Sequence, residues 1–197
     1  RNRYRSLVLH DPVWYDHLPY LSFPDTWPVF CPKDKMGDWL EAYALIFELD
    51  MWTSSSAESA RREGDHWVVT VRRGGETITL RPRELVFATG AYGPPRMPDW
   101  PGAAGYRGTL MHSSAYASGE AFRGKRALVI GSGSSAHDVA VDLWEAGAEV
   151  TMIQRRPTII VKSETLMEHG FALYSEEAVA RGIDTERADM LGAVMPY

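Results

Sequence analysis

The segment Gly131-Ser132-Gly133-Ser134-Ser135-Ala136 constrains the possible folds of this 197-residue chain more than any other part of the sequence. An apolar run over residues 125–130 precedes it and predicts a strand. Apolar residues at helical spacing over 134–146 predict a helix that ends near Gly147, and residues 149–153 predict a second strand. The residues expected on the buried side of this helix are Ala136, Val139, Ala140, Leu143 and Trp144. In this context a GxGxxA pattern indicates a dinucleotide-binding turn.

Each small residue of this turn has a physical role in holding a dinucleotide. Gly131 permits the tight turn, Gly133 lets the backbone approach a pyrophosphate, and Ala136 lets the helix pack close to the strand. The helix N-terminus offers free N–H groups and a partial positive charge to the phosphates. Ser134 and Ser135 could add hydroxyl contacts. The other interpretation is a strand-to-helix turn that binds no ligand.

The end of the second predicted strand indicates which dinucleotide would bind. NAD sites place a carboxylate there to hold the ribose 2′-hydroxyl, but Glu149 stands at the wrong end of the strand. Arg155 and Arg156 follow the correct end, and arginine suits a 2′-phosphate through bidentate contacts. We therefore predict NADPH, with Arg155 as the main partner and Arg156 and Lys162 as helpers. The other interpretation is a pair of solvated arginines.

Composition excludes several functions. Hydrophobic residues make up 45% and charged residues 24% of the chain, which is enough apolar material for a core and argues against wholesale disorder. With a net charge of −5, the chain lacks the excess of basic residues that is typical of a general nucleic-acid binder. Cys31 is the single cysteine, so an intrachain disulfide and a CxxC pair are impossible, and a cytoplasmic location is expected. No apolar run approaches the roughly 20 residues that span a bilayer. The histidines form no HxH or HxxxH pair, and no metal site is expected.

The part of the chain before the turn predicts short elements. Aromatic residues and prolines crowd residues 1–35, which predicts a packed irregular segment. Helical spacing predicts a helix over 36–49 with Asp34 as its better cap. A hairpin turn is expected at 73–75, and three adjacent strands on short loops suggest an antiparallel meander. The predicted strands are 57–62, 66–72, 76–81 and a short buried one at 84–88.

Residues 90–105 contain four glycines and four prolines and are the best candidate for a domain boundary. Beyond Lys162 the pattern weakens, and only residues 175–180, followed by Gly182, indicate a helix. The elements together predict an α/β protein, in which an antiparallel meander precedes a Rossmann-type βαβ unit.

Several segments, taken together, resemble the flavin-containing monooxygenases, especially the YUCCA-type and related bacterial members. Tyr106, Gly108, His112 and Tyr116 are spaced as in that family's FxGxxxHxxxY/F motif, with tyrosine in place of the first phenylalanine. The GxGxxA turn follows this motif closely, as it does in the family. Without the motif, His112 would be interpreted as an ordinary buried histidine.

Two further stretches carry the resemblance. Ala88-Thr89-Gly90, followed by Pro95 and Pro98, is similar to the ATGxxxxPxxP stretch that leaves the family's flavin domain. Residues 10–28 and the helix that follows them resemble the segment after the family's flavin fingerprint. The likeness covers roughly residues 5–165.

The resemblance implies an enzyme that uses FAD and NADPH. In the family, NADPH reduces FAD, which then reacts with O₂ to give a C4a-hydroperoxide that oxygenates a small organic substrate. The resemblance implies that the residues of the turn and Arg155 bind NADPH, and that Ala88, Thr89 and Gly90 approach FAD through their backbone. His112 and Tyr116 would organise the inter-domain linker. No catalytic residue is assigned.

Three positions depart from the family. Ser134 stands where many members have Asn, and Tyr106 replaces Phe. Asp11 falls where animal-type members have an active-site Asn.

The resemblance also implies a domain organisation. Residues 1–90 are expected to be the later part of an FAD-binding region, 91–124 a linker with the family motif, and 125–197 the start of an NADPH-binding domain. A GxGxxG fingerprint does not occur between Arg1 and Gly90, so we expect an incomplete chain that is inactive alone. The alternatives are a stand-alone NADPH-binding or regulatory module without flavin chemistry, and a relative of the pyridine-nucleotide disulfide reductases. The missing CxxC pair counts against the latter.

Overall fold

A computed structural model describes residues 3–90 and 93–194 of the chain. The described residues form two compact units, one drawn from Arg1–Leu40 and Met97–Tyr197 and the other from Glu41–Arg96. The strands are β1 (Val8–Pro12), β2 (Phe30–Pro32), β3 (Ser55–Glu63), β4 (His66–Arg73), β5 (Glu76–Leu80), β6 (Arg126–Ile130) and β7 (Glu149–Ile153). The α-helices are α1 (Val13–Asp16), α2 (Lys33–Ile46), α3 (Ser134–Glu145), α4 (Ser163–Thr165), α5 (Glu176–Ala180) and α6 (Thr185–Ala193). Short 3₁₀-helices span Ala103–Gly105, Ser113–Ala115, Gly119–Phe122 and Phe171–Tyr174, and one π-helical turn spans Leu166–Gly170.

The first unit contains the predicted βαβ element. Strands β6 and β7 pair in parallel, with Ile130 opposite Ile153 at their carboxyl ends. Gly147, at a φ of 89°, turns the chain between α3 and β7. Val139 and Leu143 of α3 are buried in the core of this unit. Their core neighbours are Tyr4, Tyr116 and Ala148, with the partly buried Leu7, Phe122, Ala127, Val129 and Val150 packed around them.

The front of the chain is ordered by aromatic packing more than by regular structure. Strands β1 and β2 form a short antiparallel pair with an irregular register. The rings of Phe23 and Trp27 stack with centroids 4.9 Å apart, and Trp39 of α2 packs against both at 5.2 and 5.3 Å. The prediction of a packed irregular segment over 1–35 therefore holds for most of its described part, and the structure adds the two short strands and α1.

The second unit is built on the antiparallel meander β3–β4–β5. Arg73 pairs with Glu76 across a two-residue loop, Gly74-Gly75, whose φ values are 59° and 88°. Positive φ at both loop positions is what a tight hairpin requires and what glycine provides without strain. The meander and its hairpin are thus confirmed, and β3 is longer than the predicted strand 57–62.

Four predictions are corrected by the structure. Residues 84–88 form no strand: Val86 and Phe87 are 83% and 74% exposed, and no strand in the described part of the chain pairs with them. A strand needs a partner for its backbone groups, which an apolar composition alone does not supply. Helix α2 begins three residues earlier than predicted, which places Asp34 in its first turn and not at its cap.

The other two corrections concern α3 and the end of the chain. Trp144 is 70% exposed and does not belong to the buried side of α3. The sequence pattern also missed α6, whose first turn is capped by Asp184, a signal that was present in the sequence. The helix predicted at 175–180 is confirmed as α5, with Ser175 as its cap and Gly182, at a φ of 81°, after it.

The expected division into 1–90, 91–124 and 125–197 stays a prediction. Residues 1, 2, 91, 92 and 195–197, which fall within these ranges, lie outside the described residues.

One prediction concerns the packing of Gly119 against α3. A Cβ atom added at Gly119 would lie 2.4 Å from the Asp142 carbonyl oxygen and 2.8 Å from the Ala146 Cβ. Because the first of these atoms is backbone, we expect Gly119→Ala to lower the free energy of unfolding by about 3 kcal/mol. Gly105→Ala is the control, since no atom lies within 4 Å of its added Cβ, and it should stay within about 0.5 kcal/mol of wild type in denaturant unfolding. Equal stabilities of the two variants would contradict this packing.

Candidate functional site: a dinucleotide-binding turn

The glycine-rich turn lies where β6 ends and α3 begins. Gly131 has a φ of 145°, and its N–H donates to the carbonyl of Ile153 at 2.9 Å, which joins the turn to the end of β7. A Cβ added at Gly131 would lie 3.5 Å from the Cβ of Ala136. Gly131 is therefore required by backbone conformation, and the small side chain of Ala136 lets the helix approach the strand closely.

Gly133 differs from Gly131 because nothing in the fold requires it to be glycine. It is the N-cap of α3, at φ −82° and ψ 170°, a conformation open to any residue. A Cβ added there would meet no atom within 4 Å. The surface over Gly133 is therefore an open approach to the backbone, and a bound phosphate is the group that such an approach would admit.

Helix α3 supplies the electrostatics of this site. Its twelve residues align enough peptide dipoles to place a partial positive charge at the turn, and its first N–H groups have no acceptor within the helix. Ser134 and Ser135 in the first turn are exposed, and Ser132 is half-buried. The residues present thus fit the phosphates of a dinucleotide.

The residues that are predicted to bind the 2′-phosphate of the nucleotide follow β7. Because β6 and β7 are parallel, the chain beyond Ile153 leaves the sheet at the carboxyl ends of the strands, where the turn also lies. Arg155 and Arg156 are both exposed, and neither forms an ion pair with a described carboxylate. Lys162 is exposed and precedes α4 as its N-cap residue. The two arginines are consequently available for an anion.

Two carboxylates on α3, which the sequence reasoning missed, hold distant segments against the helix. The Tyr4 hydroxyl donates to Asp138 at 2.5 Å, and His10 Nε2 lies 3.0 Å from the same carboxylate oxygen. The Tyr116 hydroxyl donates to Asp142 at 2.5 Å, and the Gly119 N–H also donates to Asp142 at 2.7 Å. The only sequence signal was a pair of aspartates four residues apart on an otherwise largely apolar helix.

Both tyrosines are held in the donor form. Burial raises the pKa of Tyr4, and its hydrogen bond to the ionised Asp138 raises the pKa further. Burial and the hydrogen bond to Asp142 raise the pKa of Tyr116 in the same way. The two rings pack with centroids 6.2 Å apart, so the tyrosines share one buried site.

The residues of the predicted family motif have separate structural roles. A Cβ on Gly108 would lie 2.4 Å from the Tyr106 hydroxyl oxygen, so the Tyr106 ring covers this glycine. His112 is half-buried and caps the 3₁₀-helix Ser113–Ala115, its Nδ1 accepting from the Ser114 N–H at 3.1 Å. Tyr116 lies in the core and contacts α3 through Asp142. His112 thus makes local contacts, and Tyr116 joins the motif to α3.

The predicted flavin-binding stretch belongs to the other compact unit. Ala88, Thr89 and Gly90 are exposed and have no regular secondary structure, and Gly90 has a φ of 83°. A glycine in this conformation permits an exposed backbone turn that other residues adopt only with strain.

Residues 3–90 and 93–194 contain neither a cluster of metal ligands nor a helix that could cross a membrane. No group of three or more metal-ligating side chains occurs among them. No helix in this part of the chain is both long and apolar enough to cross a membrane. Cys31 is completely buried, and burial raises the pKa of its thiol, which makes it a poor nucleophile.

The βαβ unit and its glycine-rich turn belong to an α/β nucleotide-binding flavoprotein fold of the type found in flavin monooxygenases. The flavin-containing monooxygenase from Stenotrophomonas maltophilia superposes with a TM-score of 0.75 at 21% identity, over 92% of this chain and 56% of that one. The bacillithiol disulfide reductase Bdr from Bacillus cereus superposes with a TM-score of 0.72 at 18% identity, over 92% of this chain and 53% of that one. These likenesses show the fold and leave the reaction open.

Sequence comparison identifies the family. The profile of the pyridine nucleotide-disulphide oxidoreductase family matches residues 21–193, and the chain belongs to this family. The indole-3-pyruvate monooxygenase YUCCA1 of Oryza sativa subsp. japonica is 37% identical over 161 residues, which are 82% of this chain and 39% of that relative. The chain therefore spans about two fifths of the length of this relative. The resemblance to YUCCA-type flavin monooxygenases is confirmed.

We expect substitutions at the two glycines of the turn to differ in their effect on the stability of the protein. Gly131→Ala forces a side chain into a φ of 145° and should cost about 2 kcal/mol of unfolding free energy. Gly133→Ser places a good N-cap residue where there is open space, so its stability should be within about 0.5 kcal/mol of wild type or higher. Thermal and denaturant unfolding measure both. A loss at Gly133 as large as that at Gly131 would contradict the geometry of the turn.

Proposed function

We propose that this protein is an FAD- and NADPH-dependent monooxygenase that uses O₂ to oxygenate a small organic substrate. The observation that carries the proposal is the turn before α3, where Gly133 leaves an open approach although the fold does not require a glycine there. The proposal is also supported by the family to which the chain belongs and by its sequence identity to a YUCCA-type relative.

The residues of the first unit would bind NADPH by charge and shape. The N–H groups at the start of α3 would hold the pyrophosphate, with the hydroxyls of Ser134 and Ser135 beside it. Arg155 would bind the 2′-phosphate, with help from Arg156 and Lys162, because a planar guanidinium can donate two parallel hydrogen bonds to phosphate oxygens. This assignment explains why the exposed arginines lack carboxylate partners within the described residues.

FAD would contact the exposed stretch Ala88-Thr89-Gly90 through its backbone, as the resemblance implies. When bound, FAD would supply the activation of O₂ and NADPH the electron pair. The described protein residues would bind and orient these groups, and none of them is assigned a proton transfer.

The substrate class is proposed from the relatives. The name of the rice relative specifies indole-3-pyruvate, and 2-oxo acids are therefore the first substrates to test for this protein. We propose a cytoplasmic location, which the single, buried and unpaired cysteine supports.

Spectroscopy of the purified full-length protein tests the proposal. We expect visible flavin absorbance that NADPH bleaches without oxygen, that returns when O₂ is admitted, and that is accompanied by H₂O₂ release in the absence of substrate. A colourless protein that binds NADPH would replace the proposal with a stand-alone NADPH-binding module. A coloured protein that NADPH reduces but that transfers electrons to a disulfide, and not to O₂, would favour the disulfide reductase alternative.

Arg155 should determine the preference for NADPH over NADH. Arg155→Ala removes charge-assisted hydrogen bonds to the 2′-phosphate and should raise the dissociation constant of NADPH about tenfold or more, leaving that of NADH unchanged. Arg181→Ala is the matched control, because this exposed arginine has a long 4.0 Å ion pair with Glu177 on α5. Titration of each variant with both nucleotides measures the effect. Equal preference for the two nucleotides in wild type and Arg155→Ala would overturn the assignment.

Gly133→Ser should separate binding from folding. The added side chain fills the open approach over the turn, so the dissociation constant of NADPH should rise more than about tenfold while the protein stays folded. Isothermal titration with NADPH, alongside unfolding of the same sample, measures both quantities. Unchanged NADPH affinity in a folded Gly133→Ser protein would show that the dinucleotide binds elsewhere.

A further inference from the structure

Asp138 is the carboxylate on α3 that lies nearest the glycine-rich turn. Its carboxylate accepts the Tyr4 hydroxyl at 2.5 Å and contacts His10 Nε2 at 3.0 Å. Tyr4 is 5% exposed, so its hydroxyl meets Asp138 in a largely buried setting. Tyr4 therefore connects the N-terminal segment to Asp138 on α3.

The position of Asp138 matters for a bound anion. It follows Ser134 by four residues, which places it about 6 Å further along the helix axis. A carboxylate at that distance repels a pyrophosphate held at the helix N-terminus, and the repulsion is only partly screened because the group is half-buried. Hydrogen bonds to the carboxylate fix its orientation and spread its charge onto the donors.

We propose that Tyr4 is a positioning residue for the dinucleotide phosphates: its hydroxyl fixes and partly neutralises Asp138, so that the start of α3 keeps its affinity for an anion. The inference rests on the proposed NADPH site. It assigns a role in nucleotide binding to a residue far outside the GxGxxA turn, separated from its partner by 134 positions in sequence.

Tyr116 provides an internal comparison on the same helix. Its hydroxyl donates to Asp142 at the same 2.5 Å distance, and it is 6% exposed. Asp142 lies one further turn away from the phosphates, and the Gly119 N–H is its second donor. Loss of the Tyr116 hydroxyl should therefore affect stability as much as loss of the Tyr4 hydroxyl, with a smaller effect on nucleotide binding.

The experiment measures NADPH dissociation constants by titration of the purified full-length protein, at a temperature where every variant is folded by circular dichroism. Tyr4→Phe should weaken NADPH binding about fivefold. Tyr116→Phe should lower the melting temperature similarly and change the dissociation constant less than about twofold. Asp138→Asn should bind NADPH at least as tightly as wild type. The double variant Tyr4→Phe with Asp138→Asn should recover to within about twofold of Asp138→Asn alone.

The outcomes separate this inference from the proposed function. A wild-type protein that binds no NADPH contradicts the proposed function itself. Equal effects of Tyr4→Phe and Tyr116→Phe on the dissociation constant, with binding by wild type intact, overturn the inference alone. Failure of Asp138→Asn to restore binding in the Tyr4→Phe background shows a packing role and also overturns it. Because Asp138→Asn keeps the shape of the side chain, weaker NADPH binding by that single variant is an independent contradiction.

Discussion

The structure of the first unit depends on one face of α3, where two carboxylates and a close backbone contact hold the surrounding chain. Asp138 and Asp142 are four residues apart and therefore lie on the same side of the helix. One accepts a hydrogen bond from Tyr4 in the N-terminal segment and the other from Tyr116 after the Gly/Pro-rich stretch. Gly119 brings the backbone so close to the helix that no side chain fits between them. Segments that are distant in sequence are thereby fixed against the helix whose N-terminus forms the candidate site.

This arrangement links folding to the proposed site. The dipole of α3, which would attract the phosphates, and the aspartates that hold the tyrosines are on the same element, so a change in one alters the electrostatics of the other. Tyr116, which the family resemblance connects with the linker, contacts α3 directly. The hydrogen bonds are strong because both tyrosines are buried donors to ionised acceptors.

Local chemistry made part of this fold predictable. Strand β6, the turn and α3 follow from apolar spacing and glycine placement, and the Gly74-Gly75 hairpin follows from the backbone freedom of two glycines. The fold class was predicted correctly for the same reason. The assignment of Gly133 and Arg155 to a nucleotide stays a prediction, because no described contact tests it.

The remaining features depend on partners that a single sequence does not reveal. Residues 84–88 have the composition of a strand, but no strand formed by the described residues lies beside them. Trp144 follows the helical spacing yet faces solvent. The hydrogen bond between Tyr4 and Asp138 joins residues 134 positions apart, which no local pattern predicts.

The fold is shared by proteins that catalyse different reactions. Its structural neighbours include a monooxygenase and a disulfide reductase with nearly equal TM-scores. What differs between such proteins is the chemistry grafted onto a shared nucleotide-binding framework. In this chain the single cysteine, Cys31, is buried, so the chain contains no pair of thiols.

The most direct test of the account is a crystal structure of the full-length protein with NADP⁺ bound. The account predicts that the pyrophosphate lies over Gly133 at the start of α3, with the 2′-phosphate beside Arg155. A structure in which NADP⁺ is bound elsewhere, with the approach to Gly133 left to solvent, would contradict it.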